Sequence, residues 1–384
     1  MAADETFPIA SYCSSQAWGG LEMNVLRFLH WMRGRGWPAV LFARPGSPLL
    51  TWAAAWGLPA RALQSRSKAS DLLGARTLAR MAAADSARVL ILHQSRDLLM
   101  AVLTKIHTGN RLKVVYQQHM HIAGDKRDLL HAWQYRRLDA FVAPAPSLAR
   151  QVAERTPIRP ERLHVIPLGL EADRFLRKPP RSQARRQLGL PLDVPLAGII
   201  GRLDPKKGQH VAIKALRRVH ETGRPLHLLV VGAPTRGEHA DYEAHLHRLA
   251  DDLGLAPFVH FRSHLDEPAT AYAAMDIFIL ASQSETYGMV TIEAMASELA
   301  VAGTDAGGTV DLIAHERNGL RFPPGDESAC AAAVIRFLAD PHFAGRMAAQ
   351  ARRDVLANFT HDRQCAQWET LLRGLAGAAP AGSK

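Results

Sequence analysis

Short apolar runs alternate along the chain with stretches in which apolar residues recur every three or four positions. The runs at residues 7–13, 38–44, 88–93, 113–119, 139–144 and 164–169 have the length and composition of strands buried on both faces. Between them lie helical patterns, of which residues 21–32 form the clearest. Strand and helix repeated at this spacing predict a parallel sheet covered on both sides. From residue 174 to 193 the texture changes to a Pro- and Arg-rich stretch containing Lys178-Pro-Pro-Arg-Ser182, which reads as a linker. The alternation then restarts, with strands expected at 196–200, 226–231, 258–261, 276–280 and 299–302 and helices including 209–220 and 242–253. The fold class expected is α/β, with two doubly wound parallel-sheet domains and a cleft between them as the default ligand site. The domains are placed at residues 1–178 and 179–358, followed by a last helix at 359–375 and a disordered tail at 376–384.

Composition narrows the function classes. At 47% hydrophobic and 22% charged residues, the 384-residue chain is an ordinary globular composition for two domains. Its apolar runs are too short to span a membrane, and Met1-Ala-Ala-Asp-Glu-Thr6 lacks the basic start and apolar core of a signal peptide. Cys13, Cys330 and Cys365 are far apart and form no Cys-x-x-Cys pattern, so neither a disulfide framework nor a zinc site is expected, in keeping with a cytoplasmic protein. The net charge of +11 calls for anionic partners. No nucleic-acid module signature is present, and aromatic residues do not interleave with the basic ones, so nucleic acid is not expected. A phosphorylated ligand accounts for a few of the cations. Lys105, Arg111, Lys113, Lys126, Arg127, Arg136 and Arg137 in the first half suggest peripheral docking on an anionic membrane; an arginine-rich surface without a specific role is the alternative.

Candidate chemistry gathers in the loops that follow strands. Ser284-Glu-Thr-Tyr-Gly-Met-Val-Thr-Ile-Glu-Ala-Met-Ala296 places Glu285 in a strand-to-helix loop, with a helix beginning near Gly288. Glu293 then lies roughly 6–8 Å along that helix. Helix-start amides seat phosphate, so this one stretch can hold a sugar, a diphosphate and a ribose, although two solvated glutamates would read the same in isolation. Gly201-Arg-Leu-Asp-Pro-Lys-Lys-Gly-Gln209 brings Arg202 and Lys207 to a sheet edge, where arginine grips phosphate bidentately and lysine adds a point charge. In Ala17-Trp-Gly-Gly-Leu-Glu22, Gly19 and Gly20 allow close backbone approach to a ligand, or simply make a tight turn. Gln117-Gln-His-Met-His121 offers His119 as a strand-end histidine for a sugar hydroxyl or an acceptor, preferred to His121 because it completes the apolar strand; satisfaction by nearby backbone is the other reading. No carboxylate lies at a useful spacing from this pair, and no metal is expected. Asp305-Ala-Gly-Gly-Thr-Val-Asp311 either shapes a pocket or turns the chain, and residues 318–325 read as a hairpin-like turn.

Taken together, Trp18-Gly-Gly-Leu-Glu22, Val165-Ile-Pro-Leu-Gly169, Gly201-Arg-Leu with Lys207-Gly208, and Glu285-Thr-Tyr-Gly-Met with Glu293 resemble the retaining glycosyltransferases of family 4 over nearly the whole chain. That resemblance implies the GT-B fold, with a first Rossmann-like domain on the acceptor side and a second that binds a nucleotide-diphosphate sugar. It implies a hexosyltransferase-type enzyme that needs no metal or other cofactor and serves a cell-envelope lipid, oligosaccharide or polysaccharide, lipopolysaccharide among them. Arg202 and Lys207 would neutralise the diphosphate, Gly19 and Gly20 would close over it, and Glu293 would bind the ribose. Glu285 would contact the transferred sugar with amides around Tyr287, Gly288, Met289 and Val290, and His119 would sit on the acceptor side. Arg262 and His264 would lie at the base, and the last helix would cross back to the first domain. Leu168 departs from the family's usual Asn in the Val-Ile-Pro-Asn-Gly turn and implies altered local hydrogen bonding. A sugar phosphorylase or nucleotide-sugar epimerase on the same fold, or a non-catalytic nucleotide-sugar-binding subunit, are the alternatives.

Overall fold

A computed structural model of the chain describes residues 6–64, 71–234, 240–263, 265 and 267–377. Its contacts divide the chain into Met1–Leu168 with His361–Lys384, and Gly169–Thr360. The division falls after Leu168, inside the Val165–Gly169 turn, and not at residue 178.

The first unit is built on β1 (Ile9–Cys13), β2 (Ala39–Ala43), β3 (Ala60–Ala62), β4 (Val89–Leu92), β5 (Lys113–Gln117), β6 (Ala140–Ala143) and β7 (Leu163–Val165). All pair in parallel in the order β3-β2-β1-β4-β5-β6-β7, with Ile9 in register with both Ala39 and Val89. The chain steps outward from β1 to β3, then returns to the other flank of β1 as β4. The loops after β1 and β4 therefore leave in opposite directions and open a crevice at the strand ends. Alternation along β1 sends Ile9 and Cys13 to a layer with Phe28, Trp37 and Trp368, and sends Ala10 and Tyr12 to a layer with Leu78, Tyr116 and Phe141. Trp368 comes from the last helix, His361–Gly377, and its ring lies 4.9 Å from that of Phe28. Arg35 Nε donates to Glu369 on the same helix at 2.7 Å. Ala376 and Gly377, expected in a tail, belong to this helix, while residues 378–384 lie outside the described residues.

The second unit repeats the plan with β8 (Leu196–Ile200), β9 (His227–Val231), β10 (Val259–Arg262), β11 (Ile277–Leu280), β12 (Ala300–Thr304) and β13 (Leu320–Phe322). The order is β10-β9-β8-β11-β12-β13, again all parallel. Here the reversal lies between β8 and β11, so the loops that follow these two strands define the second crevice. Val211, Ile213 and Leu216 from the helix Gln209–Glu221 pack with Ile199, Val230 and Ile279 in its core.

The expectation of two parallel α/β sheets holds, with corrections at the edges. Residues 318–325 are not a hairpin-like turn: β13 pairs in parallel with β12, Gly303 opposite Arg321. It and β3 span three residues each, too few to display a period against flanking Gly, Pro and Ala. The strand expected at 164–169 is Leu163–Val165, and the one expected at 113–119 stops at Gln117, so His119 lies in a loop and completes no strand. Among the described residues no helix is long and apolar enough to cross a membrane.

Candidate active site

In the second unit three loops are locked backbone to backbone. Gly201 N–H donates to Val231 C=O at 3.0 Å and Leu203 N–H to Ala233 C=O at 3.1 Å, tying the loop after β8 to the end of β9. Gly232 approaches so closely that a Cβ there would stand 1.9 Å from the Gly201 carbonyl oxygen. Asp204 caps the turn Pro205–Lys207 by accepting from Lys206 N–H at 2.9 Å, and Gln209 Nε2 donates to Arg202 C=O at 2.7 Å. Gly208, in the left-handed region at φ +74°, then passes over β11: a Cβ on it would meet the Ala281 carbonyl oxygen at 2.1 Å. Gln283 N–H donates to Lys206 C=O at 2.8 Å. On the other side, Gly308 N–H donates to Glu285 C=O at 2.8 Å, and Cβ atoms on Gly307 and Gly308 would strike the carbonyls of Glu285 and Thr286 at 2.2 and 2.4 Å. The loop 305–311 is therefore a backbone buttress for Glu285, one of the two roles open to it from sequence.

This frame delivers Lys207 Nζ to within 2.6 Å of Glu285 Oε1, which also accepts from Ser282 Oγ at 2.7 Å. Glu285 is buried and Lys207 half-buried, so the ion pair stands at the rim of the crevice with its cation still partly in water. Gly288, at φ +90°, turns the chain into the helix Met289–Ala296. Thr291 and Ile292 N–H donate back to Gly288 C=O at 2.9 and 3.4 Å, so Met289 and Val290 head the helix with the amides of its open end, and Tyr287 is buried beside them. Glu293 is buried on that helix and accepts from Tyr272 Oη at 2.8 Å. Tyr272 is fully buried, and burial with the adjacent carboxylate holds its phenol well above the usual tyrosine range, so it stays a donor. Arg202 remains exposed, its guanidinium 3.7 Å from Asp204. Arg262 is placed differently from the expectation of a base contact: its side chain donates to Leu188, Gly189 and Phe261 carbonyls, closing the end of the helix Arg181–Gln187. His264 lies outside the described residues.

In the first unit the crevice loops carry Ser14–Gly20 and His93–Asp97. Ser14 N–H donates to Asp97 Oδ2 at 3.0 Å, and burial raises the Asp97 carboxyl to about 6. Ser15 Oγ donates to Glu22, buried in the first helical turn. Gly19 is extended, and a Cβ on Gly20 would meet nothing within 4 Å. Neither glycine is required by a turn, which removes the tight-turn reading of this motif. His119 is half-buried in the loop after β5, whereas His121 is exposed. His119 Nε2 lies 3.1 Å from Nδ1 of the buried His93, whose Nε2 lies 2.7 Å from Ser11 Oγ. Burial lowers His119 to about 4.

The second unit thus brings together Lys207, Glu285, Gly288 and Glu293, and the first holds Gly19, Gly20 and His119 at its own crevice. Sequence reasoning missed Ser282, Tyr272, Gly232, His93, Asp97 and Glu22 as participants. His93 closes the run Leu90-Ile-Leu-His93 and carried a signal as strong as that of His119. Nothing in the sequence links Tyr272 to Glu293. Of the basic cluster, Lys105 is buried and donates to Asp139 at 2.6 Å, with Lys113 3.7 Å from the same carboxylate, so these two are internal pairs and not free surface charge.

Comparison with known proteins follows the same division. Residues 18–174 match the model of Glycosyltransferase Family 4, and residues 180–354 match that of Glycosyl transferases group 1. A D-inositol 3-phosphate glycosyltransferase of Stackebrandtia nassauensis is 33% identical over 228 residues, 58% of this chain and 51% of that protein. The chain spans about half the length of the curated relatives it matches. A glycosyltransferase from Rickettsia africae superposes with a TM-score of 0.88 at 18% identity, over 97% of this chain and 100% of that one. Anabaena Alr3699/HepE, solved in complex with UDP and glucose, superposes with a TM-score of 0.81 at 22% identity, over 95% and 99%. At these identities the likeness is one of fold. With both halves matched by the two models and both sheets parallel throughout, the chain belongs to glycosyltransferase family 4 and has the GT-B fold.

Proposed function

We propose that this chain is a retaining glycosyltransferase that moves a sugar from a nucleotide-diphosphate donor to a cell-envelope lipid, oligosaccharide or polysaccharide. The observation that carries the reading is the Lys207–Glu285 pair at 2.6 Å, at the mouth of a crevice whose next helix holds Glu293. Lys207 and Arg202 neutralise the diphosphate, amides from Tyr287 to Val290 add partial positive charge, Glu293 takes the ribose hydroxyls and Glu285 the transferred sugar. Gly19, Gly20 and His119 stand at the crevice of the first unit, to which the proposal gives the acceptor. The sugar's C1–O bond to phosphate breaks as the acceptor oxygen bonds C1 on the same face, and the leaving phosphate takes the acceptor's proton. Fixed cations and helix amides meet the charge on the departing phosphate, so the proposal assigns no step to a metal. Support for a nucleotide-sugar donor comes from Alr3699/HepE, whose structures hold UDP, glucose or UDP-glucose.

Peripheral association with an anionic membrane on its cytoplasmic face belongs to the same proposal. It rests on exposed Arg111, Arg127 and Arg136 together with exposed Met120, Leu129 and Leu130 in the first unit. Sedimentation with anionic and neutral vesicles tests it, and equal sedimentation with both removes it.

Incubation with a panel of nucleotide sugars and cell-envelope extract tests the transferase reading by release of nucleotide diphosphate together with a glycosylated product. Binding without turnover in any extract would overturn it in favour of a binding subunit, and release of sugar 1-phosphate in favour of a phosphorylase.

A further inference from the structure

Three side chains, Ser11 and His93 buried and His119 half-buried, are linked at the crevice of the first unit. Ser11 on β1 is fully buried, His93 after β4 is 1% exposed, and His119 follows β5. Contacts of 2.7 Å (Ser11 Oγ to His93 Nε2) and 3.1 Å (His93 Nδ1 to His119 Nε2) link them in series. At the end of the series His119 Nδ1 is buried without a partner among the described residues.

Neutral imidazoles can fill this chain in two ways, since each has one N–H and one bare nitrogen. In the first, Ser11 donates to His93 Nε2, His93 Nδ1–H donates to His119 Nε2, and His119 carries its proton on Nδ1. Every hydrogen is then used except the one on His119 Nδ1. In the second, the bonds run the other way: His119 Nε2–H donates to His93, and His93 Nε2–H donates to Ser11. The Ser11 hydroxyl hydrogen then has no acceptor, because Ser11 has no second partner among the described residues. The bare His119 Nδ1 is left unsatisfied as well. Each unmet buried polar group costs about 1–3 kcal/mol, so the arrangement with one unmet group is favoured over that with two.

We propose that His93, itself oriented by Ser11, is a positioning residue that fixes His119 as a neutral Nδ1–H donor, and that this N–H is aimed at an oxygen of a bound saccharide. The direction of the chain gives His119 a defined task. With Nε2 occupied by His93, the only nitrogen left to a ligand carries a proton, so His119 donates a hydrogen bond and is not a general base. That assignment rests on the transferase reading, where it agrees with the leaving phosphate as the proton acceptor. The tautomer itself does not depend on that reading.

Long-range proton–nitrogen NMR of the full chain, with histidines labelled in both ring nitrogens and assigned by single replacement, reads the tautomer without turnover. In the wild type the protonated nitrogen of both His93 and His119 is expected to be Nδ1. His93→Leu removes the donor and should move the proton of His119 to Nε2, whereas His93→Asn, which keeps an N–H near the Nδ1 position, should leave it on Nδ1. Protonation of His119 on Nε2 in the wild type would overturn the proposal even if His93→Leu does not fold. So would an unchanged Nδ1–H in a folded His93→Leu. Because no sugar is added, neither outcome bears on whether the protein is a transferase.

Discussion

Lys207 and Glu285, 78 positions apart in sequence, share a 2.6 Å ion pair although each is assigned to a different part of one ligand. The pair holds the lysine side chain toward the crevice beside a buried glutamate that also accepts from Ser282. Glu285→Gln preserves an acceptor for Ser282 but removes the negative charge, so turnover should fall on the order of 10²–10³-fold, as for loss of one preorganised electrostatic contact. Donor binding should change little. Lys207→Ala should weaken donor binding about 10–100-fold, the worth of a charged hydrogen bond, and lower turnover as well. Calorimetric titration beside steady-state assay separates the two patterns; equal, negligible effects in both variants would refute the site.

Tyr272 supplies the donor that Glu293 needs while buried. Tyr272→Phe keeps the ring contacts with Phe175 and Phe278 but removes one hydrogen bond from the carboxylate. A stability loss of about 1.5–3 kcal/mol is expected in urea unfolding, with weaker nucleotide binding in a titration. An unfolding midpoint equal to the wild type would mean that Glu293 is satisfied by other groups.

Gly208 and Gly223 form an internal comparison, since both are left-handed, at φ +74° and +73°. A Cβ on Gly223 meets nothing within 4 Å, whereas one on Gly208 meets Ala281 oxygen at 2.1 Å. Gly223→Ala should cost only the left-handed conformation, about 1–2 kcal/mol. Gly208→Ala should cost more and also displace Lys207, so it alone should depress donor binding. Identical unfolding midpoints for the two variants would show that the close approach yields without strain.

Asp97 gives a pH signature. Its folded carboxyl titrates near 6 against 3.8 for the free group, chiefly through burial. The folded state therefore holds this proton more tightly. Its contribution is fully present below pH 3.8 and lost as pH rises through 6, at most about 3 kcal/mol for a shift of this size. Asp97→Asn, still able to accept from Ser14 N–H, should flatten stability between pH 4 and 6 and be the more stable protein at pH 8. Urea midpoints measured across that range check it, and an unaltered slope in the variant would assign the effect to other groups.

The central strands of both sheets were legible in the sequence because burial on both faces leaves continuous apolar runs, as in Leu196–Ile200. Edge strands β3 and β13 were not, three residues each among Gly, Pro and Ala, whereas the equally short β7 lay within the longer stretch expected at 164–169. Glu285, Glu293, Arg202 and Lys207 were legible because each follows a strand that ends at a sheet edge. What the sequence hid is pairing across distance: Tyr272 with Glu293, His93 with His119, and the guanidinium of Arg262 turned onto a helix end. Such pairings join segments that meet only in the folded unit, as β4 beside β5 brings His93 to His119, with no local mark in either segment.

The last helix has a consequence for the order of synthesis. Trp368 is fully buried against Phe28, so the core of the first unit lacks one of its largest side chains until the final stretch of chain has been made. Gly169–Thr360, by contrast, is complete before that stretch emerges. The first unit therefore closes its core only across the whole intervening unit, a contact of long sequence separation of the kind that forms late in folding.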